Sequence, residues 1–168
     1  GTENLFSAAL EHGCKRVVML STVSVYGGAP PEELPVKEDN IMRPGTNYER
    51  SKYLQELVAQ DYLKKGLDIS IVRPCPIYGP RNLYGFASMV FLMSKFPLVP
   101  VPTTLSGHNV SVHVADVVGA MYFVGQKKEA IGQAYNICDD TNYMATDMIK
   151  FGAKELGVVV LDVYVPFK

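Results

Sequence analysis

Two patterns of apolar residues alternate along the chain. Continuous apolar runs are typical of strands buried on both faces, and apolar residues three or four positions apart are typical of helices. The runs predict strands at 16–22, 67–74, 109–113, 133–138 and 158–165. The helical spacing predicts helices at 2–12, 46–65, 83–95, 115–127 and 143–156. Because strand and helix follow each other in turn, we predict an α/β fold of the doubly wound type with a largely parallel sheet.

The composition is that of an ordinary globular chain. With 168 residues, 48% hydrophobic residues and a formal net charge of -1, the chain can bury one core, so we predict a single domain over residues 1–168. The basic residues form no stripe along the sequence, so we expect no nucleic-acid partner. The longest strongly apolar run, at 86–93, is too short to span a bilayer, so we expect no membrane partner.

The cysteines and histidines also restrict the chemistry. Cys14, Cys75 and Cys138 are odd in number and widely spaced, which fits reduced thiols better than a disulfide framework. We therefore predict a cytoplasmic protein. The three histidines form no metal-ligand spacing with these cysteines, so we predict no metal site.

The segment TNYERSKYLQE, residues 46–56, contains a candidate proton-transfer pair. Thr46 followed by Glu49 three residues later predicts a capping box that begins the helix at 46–65. Tyr48 and Lys52 are four residues apart and share a helix face, so the ammonium group can lie beside the phenol ring. A nearby positive charge favours phenolate, which would let Tyr48 exchange a proton near neutral pH. Alone, such a pair is more often a solvated helix face, so its meaning depends on context.

The end of the first predicted strand supplies part of that context. Ligands of open α/β sheets bind outside the carboxyl ends of the strands. The strand at 16–22 brings Thr22 to this edge, and the strand at 67–74 brings Pro74 and Cys75 there. A three-part site of Thr22, Tyr48 and Lys52 is compatible with this arrangement.

Four stretches of the sequence jointly resemble the extended short-chain dehydrogenases/reductases, which include the NAD-dependent epimerases and dehydratases. In the family's order they are GTENLFSAALEHGCKRVVMLSTVSVYG, NYERSKYLQE, DISIVRPCPIYGPR and VSVHVADVVGAMYFVGQKKEAIGQAYNI, and they cover most of the chain. The resemblance implies a Rossmann-like fold that binds NAD or NADP and carries part of a small substrate lobe. It also implies a small-molecule substrate and is compatible with a homodimer.

The resemblance gives each candidate residue a role. It makes Tyr48 the catalytic acid/base and Lys52 its partner, which also holds the nicotinamide ribose. Thr22 lies four residues before the tyrosine of VYG, where the family has a Ser or Thr that hydrogen-bonds the reacting oxygen. The residues implied in cofactor binding are Tyr48, Lys52, Pro74, Cys75 and Ile77, and those implied in substrate binding are Thr22, Pro76 and Arg81.

The sequence departs from the family's pattern in three places. No two of the fourteen glycines have a G-x-G arrangement, so we expect a fold that is incomplete at the N-terminus. We expect the chain to be the middle of a longer protein, or its only ordered part. Val23 and Ser24 replace the Asp-Glu pair of the nucleotide-sugar dehydratases, which disfavours elimination of water. Pro76 replaces an asparagine that is usual in the sugar-nucleotide enzymes and offers no side-chain donor to a diphosphate.

Three functions stay open at this point. The leading one is an NAD(P)-dependent epimerase or oxidoreductase that transfers hydride at a secondary alcohol of a sugar or nucleotide sugar. Pro76 leaves room for an oxidoreductase like the 3β-hydroxysteroid dehydrogenases or the flavonol reductases. The missing Gly-rich turn leaves room for a truncated, non-catalytic module.

Overall fold

A computed structural model of the chain describes residues 1–102, 108–140 and 143–164. Helices α1 to α5 span Thr2–Glu11, Asn47–Lys64, Phe86–Met93, Val114–Gln126 and Ala145–Glu155. Strands β1 to β9 span Val17–Leu20, Ile69–Pro74, Ile77–Tyr78, Leu98–Pro102, His108–Asn109, Val112–His113, Ala134–Ile137, Tyr143–Met144 and Val159–Val163. Short 3-10 helices cover Val23–Tyr26, Pro31–Glu33 and Lys128–Ala130.

The predicted strands and helices occur in the predicted order, with most ends shifted by one to three residues, but the short strands β3, β4 and β8 were not predicted. The largest shift is at α3, which begins at Phe86 because Gly85 precedes it with φ 60°, outside the helical region. The strand predicted at 109–113 is wrong in detail, since two short strands, β5 and β6, occupy this region. The last position of the strand predicted at 158–165 lies outside the described residues.

Strand β4 is absent from the sequence prediction because Pro100 and Pro102 are typical of loops. In the structure β4 pairs in parallel with β9, with Pro100 opposite Leu161 and Pro102 opposite Val163. Each strand of a two-stranded sheet has one open edge, and residues two positions apart turn their backbone nitrogens toward the same edge. Both prolines can therefore face the open edge without removing a donor from the β4–β9 ladder.

The chain forms two compact units. The first unit comprises Gly1–Cys75 and Val114–Cys138, and the second comprises Pro76–His113 and Asp139–Lys168. In the first unit a parallel sheet has the strand order β1-β2-β7. The second unit contains the parallel pairs β3-β6 and β4-β9 and the antiparallel pair β5-β8. The α/β class with parallel sheets is thus confirmed.

Helices cover both faces of the first unit's sheet. Neighbouring strand residues point to opposite faces, and Met19 packs in a buried cluster with Phe6 of α1 and Tyr62 of α2. Val18, on the opposite face, lies against Gly125 of α4, where an added Cβ would meet the valine Cγ2 at 3.3 Å. The middle strand β2 is buried along its whole length. This is the doubly wound arrangement that the continuous apolar runs predict.

The core of the first unit joins α1 and α2 to the sheet. Phe6 and Tyr62 meet edge to face, with 5.7 Å between ring centroids. The buried members of this cluster are Phe6, Met19, Ala59, Tyr62, Leu67, Ile69 and Ile71. Because Ala59 and Tyr62 lie on one face of α2, burial of this face fixes the rotation of the helix that carries Tyr48 and Lys52.

In the second unit, α5 packs against α3 and against strands β4, β8 and β9. Strands β3 and β6 pair in register, with Ile77 opposite Val112 and Tyr78 opposite His113. The rings of Tyr78 and His113 meet edge to face at 5.3 Å. Strand β3 and helix α5 contribute residues to a cavity described below.

Candidate active site

The first turn of α2 is fixed by a capping box. The Thr46 hydroxyl accepts from the backbone N–H of Glu49 at 3.2 Å, and the Glu49 carboxylate accepts from the N–H groups of Thr46 and Gly45 at 2.9 and 2.7 Å. These N–H groups hold the pKa of Glu49 below its usual value. The predicted cap is confirmed, and it defines the turn in which Tyr48 lies.

Lys52 reaches from α2 to the carboxyl end of strand β1. Its Nζ donates to the backbone carbonyl of Leu20, the last residue of β1, at 3.1 Å and to Oε1 of Gln55 at 3.2 Å. Gln55 in turn donates to the hydroxyl of Thr2 at 2.8 Å. The ammonium group is therefore held at the sheet edge where ligands bind in open α/β folds.

Thr22 follows β1 at the same edge and is buried. It is the N-cap of the 3-10 helix Val23–Tyr26, and its Oγ1 accepts from the backbone N–H of Ser24 at 3.2 Å. The same oxygen lies 3.2 Å from the Ser24 hydroxyl, to which it can donate. Because Thr22 is two residues beyond Leu20, the structure brings Thr22 and Lys52 to one strand end.

Tyr48 lies one turn before Lys52 on α2 and is 57% exposed. In the part of the chain that the structure describes, no hydrogen bond involves its hydroxyl. In this respect Tyr48 differs from Thr46 and Glu49, whose side chains form the helix cap, and from Lys52, whose side chain is bonded at the strand end. It is available to a bound molecule.

The residues expected to contact cofactor and substrate divide between the two units. Pro74 closes β2, and the N–H of Cys75 donates to the Ile137 carbonyl at 2.9 Å, so both lie at the carboxyl end of the first unit's sheet. Ile77 lies in β3 of the second unit, and Arg81 is exposed in the loop that follows, with φ 68°.

Pro76 is also part of the second unit. Its carbonyl accepts from the N–H of Val112 at 3.1 Å, so the backbone at this position is used by the β3-β6 pair. A proline side chain has no donor of its own. The residue therefore presents only an apolar ring, as the sequence implies.

A buried polar network in the first unit is absent from the sequence prediction. Arg73 and Glu56 form a two-pronged ion pair, with N–O distances of 3.0 and 2.7 Å and side chains 4% and 1% exposed. Arg73 also donates to the hydroxyl of Tyr26 and to the Glu38 carbonyl, and Tyr26 donates to Oδ1 of Asn136 at 3.0 Å. Burial raises the pKa of Tyr26, although the adjacent Arg73 opposes the effect.

The second unit contains a cavity of about 900 Å³. Its lining residues are Pro76, Ile77, Tyr78, Asn82, Tyr84, Gly85, Ser111, Asp139, Asp147, Met148 and Phe151. Sequence analysis named Pro76 and Ile77 among these but missed the acidic and aromatic members of α5 and of the segment after β7. One signal was available, because Asp139 directly follows the end of a predicted strand.

The described residues include no cluster of three or more His, Cys, Asp or Glu side chains that could hold a metal ion. Among the helices of these residues, none is long and apolar enough to cross a membrane. The three cysteines, all within the described residues, form no disulfide bond.

Comparison with known proteins gives concordant results. The model of the NAD dependent epimerase/dehydratase family matches residues 1–138. The chain is 34% identical over 140 residues to a dTDP-glucose 4,6-dehydratase of Streptomyces griseus. This alignment covers 82% of this chain and 42% of that protein. The chain thus spans less than half the length of this relative.

Solved structures share the fold. A UDP-glucose 4-epimerase of Thermotoga maritima, solved with UDP-glucose, matches with a TM-score of 0.84 and 23% identity over 99% of this chain and 55% of that one. A UDP-glucuronic acid 4-epimerase of Bacillus cereus, in complex with UDP-glucuronic acid and NAD, has a TM-score of 0.81 and 23% identity, over 97% and 53%. The family model covers most of the sequence and the fold agrees, so the chain belongs to the NAD-dependent epimerase/dehydratase family.

Proposed function

We propose that this chain carries the proton-transfer site of an NAD(P)-dependent epimerase or oxidoreductase that acts at a secondary alcohol of a sugar or nucleotide sugar. The observation that carries the proposal is the hydrogen bond from Lys52 Nζ to the Leu20 carbonyl at 3.1 Å. This bond fixes a cation at the carboxyl end of β1, two residues from Thr22 and one helical turn from the exposed phenol of Tyr48.

The chain's own residues perform the proton chemistry. In its deprotonated form Tyr48 accepts the proton of the substrate hydroxyl, and Lys52, one helical turn further along α2, supplies a cation at the strand end. The Thr22 hydroxyl turns from Ser24 to donate to the oxygen that becomes a carbonyl. A bound nicotinamide would supply the acceptor for the hydride of the same carbon.

The donor set of Lys52 fits a nicotinamide cofactor. An ammonium group has three donors, and the carbonyl of Leu20 and the amide oxygen of Gln55 use two of them. One donor remains for a ribose hydroxyl. Pro74, Cys75 and Ile77 are the further residues that we propose for cofactor contact, because they follow the carboxyl end of β2.

A matched pair of lysine variants on α2 tests the proposal. Lys52→Gln removes the cation at the strand end, whereas Lys64→Gln removes an exposed cation that pairs with Asp61 at 3.2 Å. Both variants would be made in the chain fused to an upstream Gly-rich βαβ segment. With NAD and NADP as cofactors, turnover would be measured as epimerisation of UDP-glucose and as reduced nicotinamide formed from UDP-glucose or from a neutral cyclic alcohol. We expect Lys52→Gln to lower turnover about a hundredfold or more and Lys64→Gln to leave it unchanged. Equal turnover in the two variants would contradict the assignment.

The second enzyme candidate is an oxidoreductase like the 3β-hydroxysteroid dehydrogenases or flavonol reductases. Pro76 favours it, since a proline ring offers an apolar contact and no donor to a diphosphate. The same assay distinguishes the two candidates, because turnover of the neutral cyclic alcohol but not of UDP-glucose supports the second.

The candidate from another class is a non-catalytic module, and the absence of a G-x-G arrangement favours it. In dinucleotide-binding folds a Gly-rich turn lets the pyrophosphate approach a helix N-terminus. We expect calorimetry on the 168-residue chain to give an NAD dissociation constant no lower than about 1 mM, or about 4 kcal/mol. If the protein is an enzyme, fusion of an upstream Gly-rich βαβ segment should restore both NAD binding and turnover. If it is a non-catalytic module, the fusion should produce no turnover.

The remaining proposals concern the protein's surroundings. The odd number and wide spacing of Cys14, Cys75 and Cys138 support a cytoplasmic location. The balanced charge supports the absence of a nucleic-acid partner. A homodimer is a further proposal, which light scattering on the purified protein would test.

A further inference from the structure

Two cysteines follow the carboxyl ends of neighbouring strands in the first unit. Strands β2 and β7 run parallel, and their last paired residues are Pro74 and Ile137. Cys75 and Cys138 are the next residues of the two segments, and both belong to the first unit. They are far apart in the sequence, so it is the register of the two strands that brings them opposite each other.

A backbone hydrogen bond limits the distance between the two cysteines. The N–H of Cys75 donates to the carbonyl of Ile137, the residue before Cys138, at 2.9 Å. One hydrogen bond and two short covalent paths therefore join the two Cα atoms. Neighbouring strands lie about 5 Å apart, and the Cα atoms of a disulfide are usually about 4.4–6.8 Å apart. A disulfide can bridge a separation of this size.

The two cysteines also occupy the same face of the sheet. Side chains alternate between the faces along a strand, so residues two positions apart point the same way. Arg73 and Asn136 lie opposite each other two positions before the cysteines, and both bond to the Tyr26 hydroxyl. They therefore share one face. The Cys75 N–H continues the ladder by one more bond, so the alternation gives Cys75 and Cys138 that same face.

Small oxidants have access to this pair. Cys138 is exposed, and Cys75 is partly buried. Two acidic residues, Asp139 and Asp140, follow Cys138 directly. Their negative charge favours the approach of an uncharged molecule over that of an anion. An uncharged disulfide is therefore the suitable oxidant, and Cys138 is the thiol that it meets first.

We propose that Cys75 and Cys138 form a reversible disulfide when a low-molecular-weight disulfide oxidises the protein. The Cys138 thiolate bonds to one sulfur of that molecule, whose S–S bond breaks to release one thiol. The Cys75 thiolate then attacks the Cys138 sulfur of this mixed disulfide and releases the second thiol. The protein loses two electrons and two protons, and the two released thiols carry them.

The disulfide has a consequence for cofactor binding. Cys75 is one of the residues proposed above for cofactor contact, so this consequence rests on the proposed function. A covalent link to Cys138 occupies the Cys75 sulfur and restrains the backbone that follows Pro74. We therefore expect oxidation to lower turnover reversibly. Formation of the disulfide itself depends only on the register of β2 and β7.

Mass spectrometry of the 168-residue chain measures disulfide formation directly. The chain is equilibrated with 2-hydroxyethyl disulfide and 2-mercaptoethanol, and the remaining thiols are blocked with N-ethylmaleimide. Cys14→Ser keeps the proposed pair. Cys138→Ser instead keeps Cys75 and Cys14, and Cys14 precedes β1 at the opposite edge of the parallel sheet. We expect Cys14→Ser to form at least about tenfold more intramolecular disulfide than Cys138→Ser. Equal amounts would overturn the proposal.

Unfolding supplies a second criterion for the same pair. In concentrated urea the strands no longer pair, and the two ends of a long flexible loop meet less often. The intramolecular disulfide of Cys14→Ser should therefore fall at least about fivefold from its amount in the folded chain. An equal amount in the folded and unfolded chain would overturn the proposal, because the register of the strands would then play no part.

Turnover tests the consequence for the enzyme. In the chain fused to a cysteine-free, Gly-rich βαβ segment, oxidation should lower turnover about tenfold or more, and excess 2-mercaptoethanol should restore it. Cys138→Ser should keep its turnover under the same oxidation, because position 138 then offers no thiol. Unchanged turnover in the oxidised protein would overturn the regulatory role. An equal loss in Cys138→Ser would overturn it too, because a mixed disulfide at Cys75 would then explain the effect.

The two kinds of readout separate this proposal from the proposed function. If the fused chain shows no turnover when reduced or oxidised, the proposed function fails. The masses of Cys14→Ser and Cys138→Ser still decide whether the disulfide forms.

Discussion

Two tyrosines of the first unit differ in what their hydroxyl groups contact. Tyr26 is 2% exposed, and its hydroxyl accepts from Arg73 and donates to Asn136. Tyr48 is 57% exposed, and the described residues give its hydroxyl no hydrogen-bond partner. Tyr26 follows β1 in the chain, and Tyr48 lies one helical turn before Lys52, which contacts the last residue of β1. Only Tyr48 presents an unused phenol to a ligand.

This difference in contacts suggests two roles: Tyr26 supports the structure, and Tyr48 is available for proton transfer. A phenol whose donor and acceptor sites are filled cannot also exchange a proton with a substrate, because its partners would be left unsatisfied. The Tyr26 network instead joins β2, through Arg73, to β7, through Asn136, and to α2, through Glu56. It thereby holds the strand ends and the helix on which Lys52 and Tyr48 are presented.

The largest effect on the supporting network should come from Arg73. Arg73→Met leaves the Glu56 carboxylate buried and unpaired, which should cost about 3–5 kcal/mol of unfolding free energy. The double variant Glu56→Leu/Arg73→Met should recover most of this loss, since no charge remains buried. Urea unfolding measures both values.

Arg43→Met is the control for this variant, because Arg43 pairs with Glu33 at 2.6 Å while both side chains stay partly exposed. It should cost far less than Arg73→Met, because solvent screens an exposed pair. Similar losses in the two variants would show that burial of the Arg73–Glu56 pair is not what makes it critical.

A smaller effect, on turnover and not on stability, is expected for a change of Thr22. Thr22→Val keeps the shape but removes the hydroxyl, so turnover of the chain fused to an upstream Gly-rich βαβ segment should fall about ten- to a thousandfold. Cofactor affinity, measured by calorimetry, should change little. A parallel loss of cofactor affinity would assign Thr22 to the support of the cofactor pocket.

The smallest effect is the pH dependence from Tyr26. Burial raises its pKa in the folded state above the unfolded value of about 10, so its contribution is fully present below about pH 10 and is lost as pH rises toward the folded value. Unfolding free energy should therefore fall more steeply above about pH 10 in the unchanged protein than in Tyr26→Phe.

Tyr122→Phe serves as the control for the pH experiment, because Tyr122 is 71% exposed. This variant should keep the steep decline of the unchanged protein. If Tyr26→Phe declines as steeply as Tyr122→Phe, the titration of Tyr26 does not contribute.

The sequence predicts the first unit better than the second, for physical reasons. Thr46 and Glu49 form a local cap, so three residues of separation suffice to predict it. The position of Lys52 at the carboxyl end of β1 also depends on local patterns. Helical spacing and the order of strands and helices bring this residue near the edge of the sheet. The role of Glu56 was not predictable, since a glutamate within a helix is normally solvated and its partner Arg73 lies on a strand.

The cavity of the second unit depends on longer-range contacts. Tyr78 and Asp139 are 61 residues apart in the chain, and their hydrogen bond follows from strand pairing and not from a local motif. Strand β4 was hidden by its prolines, whose tolerance depends on an open edge that only the fold defines. Such features require tertiary structure before they can be recognised.

The most direct test of the account removes the hydroxyl oxygen of each tyrosine in the chain fused to an upstream Gly-rich βαβ segment, and measures both turnover and unfolding free energy. Tyr48→Phe should lose about a hundred- to ten-thousandfold in turnover and change stability by less than about 0.5 kcal/mol. Tyr26→Phe should lose about 1–3 kcal/mol of stability and retain turnover while folded. Full turnover in Tyr48→Phe would contradict the central claim that this phenol transfers the proton.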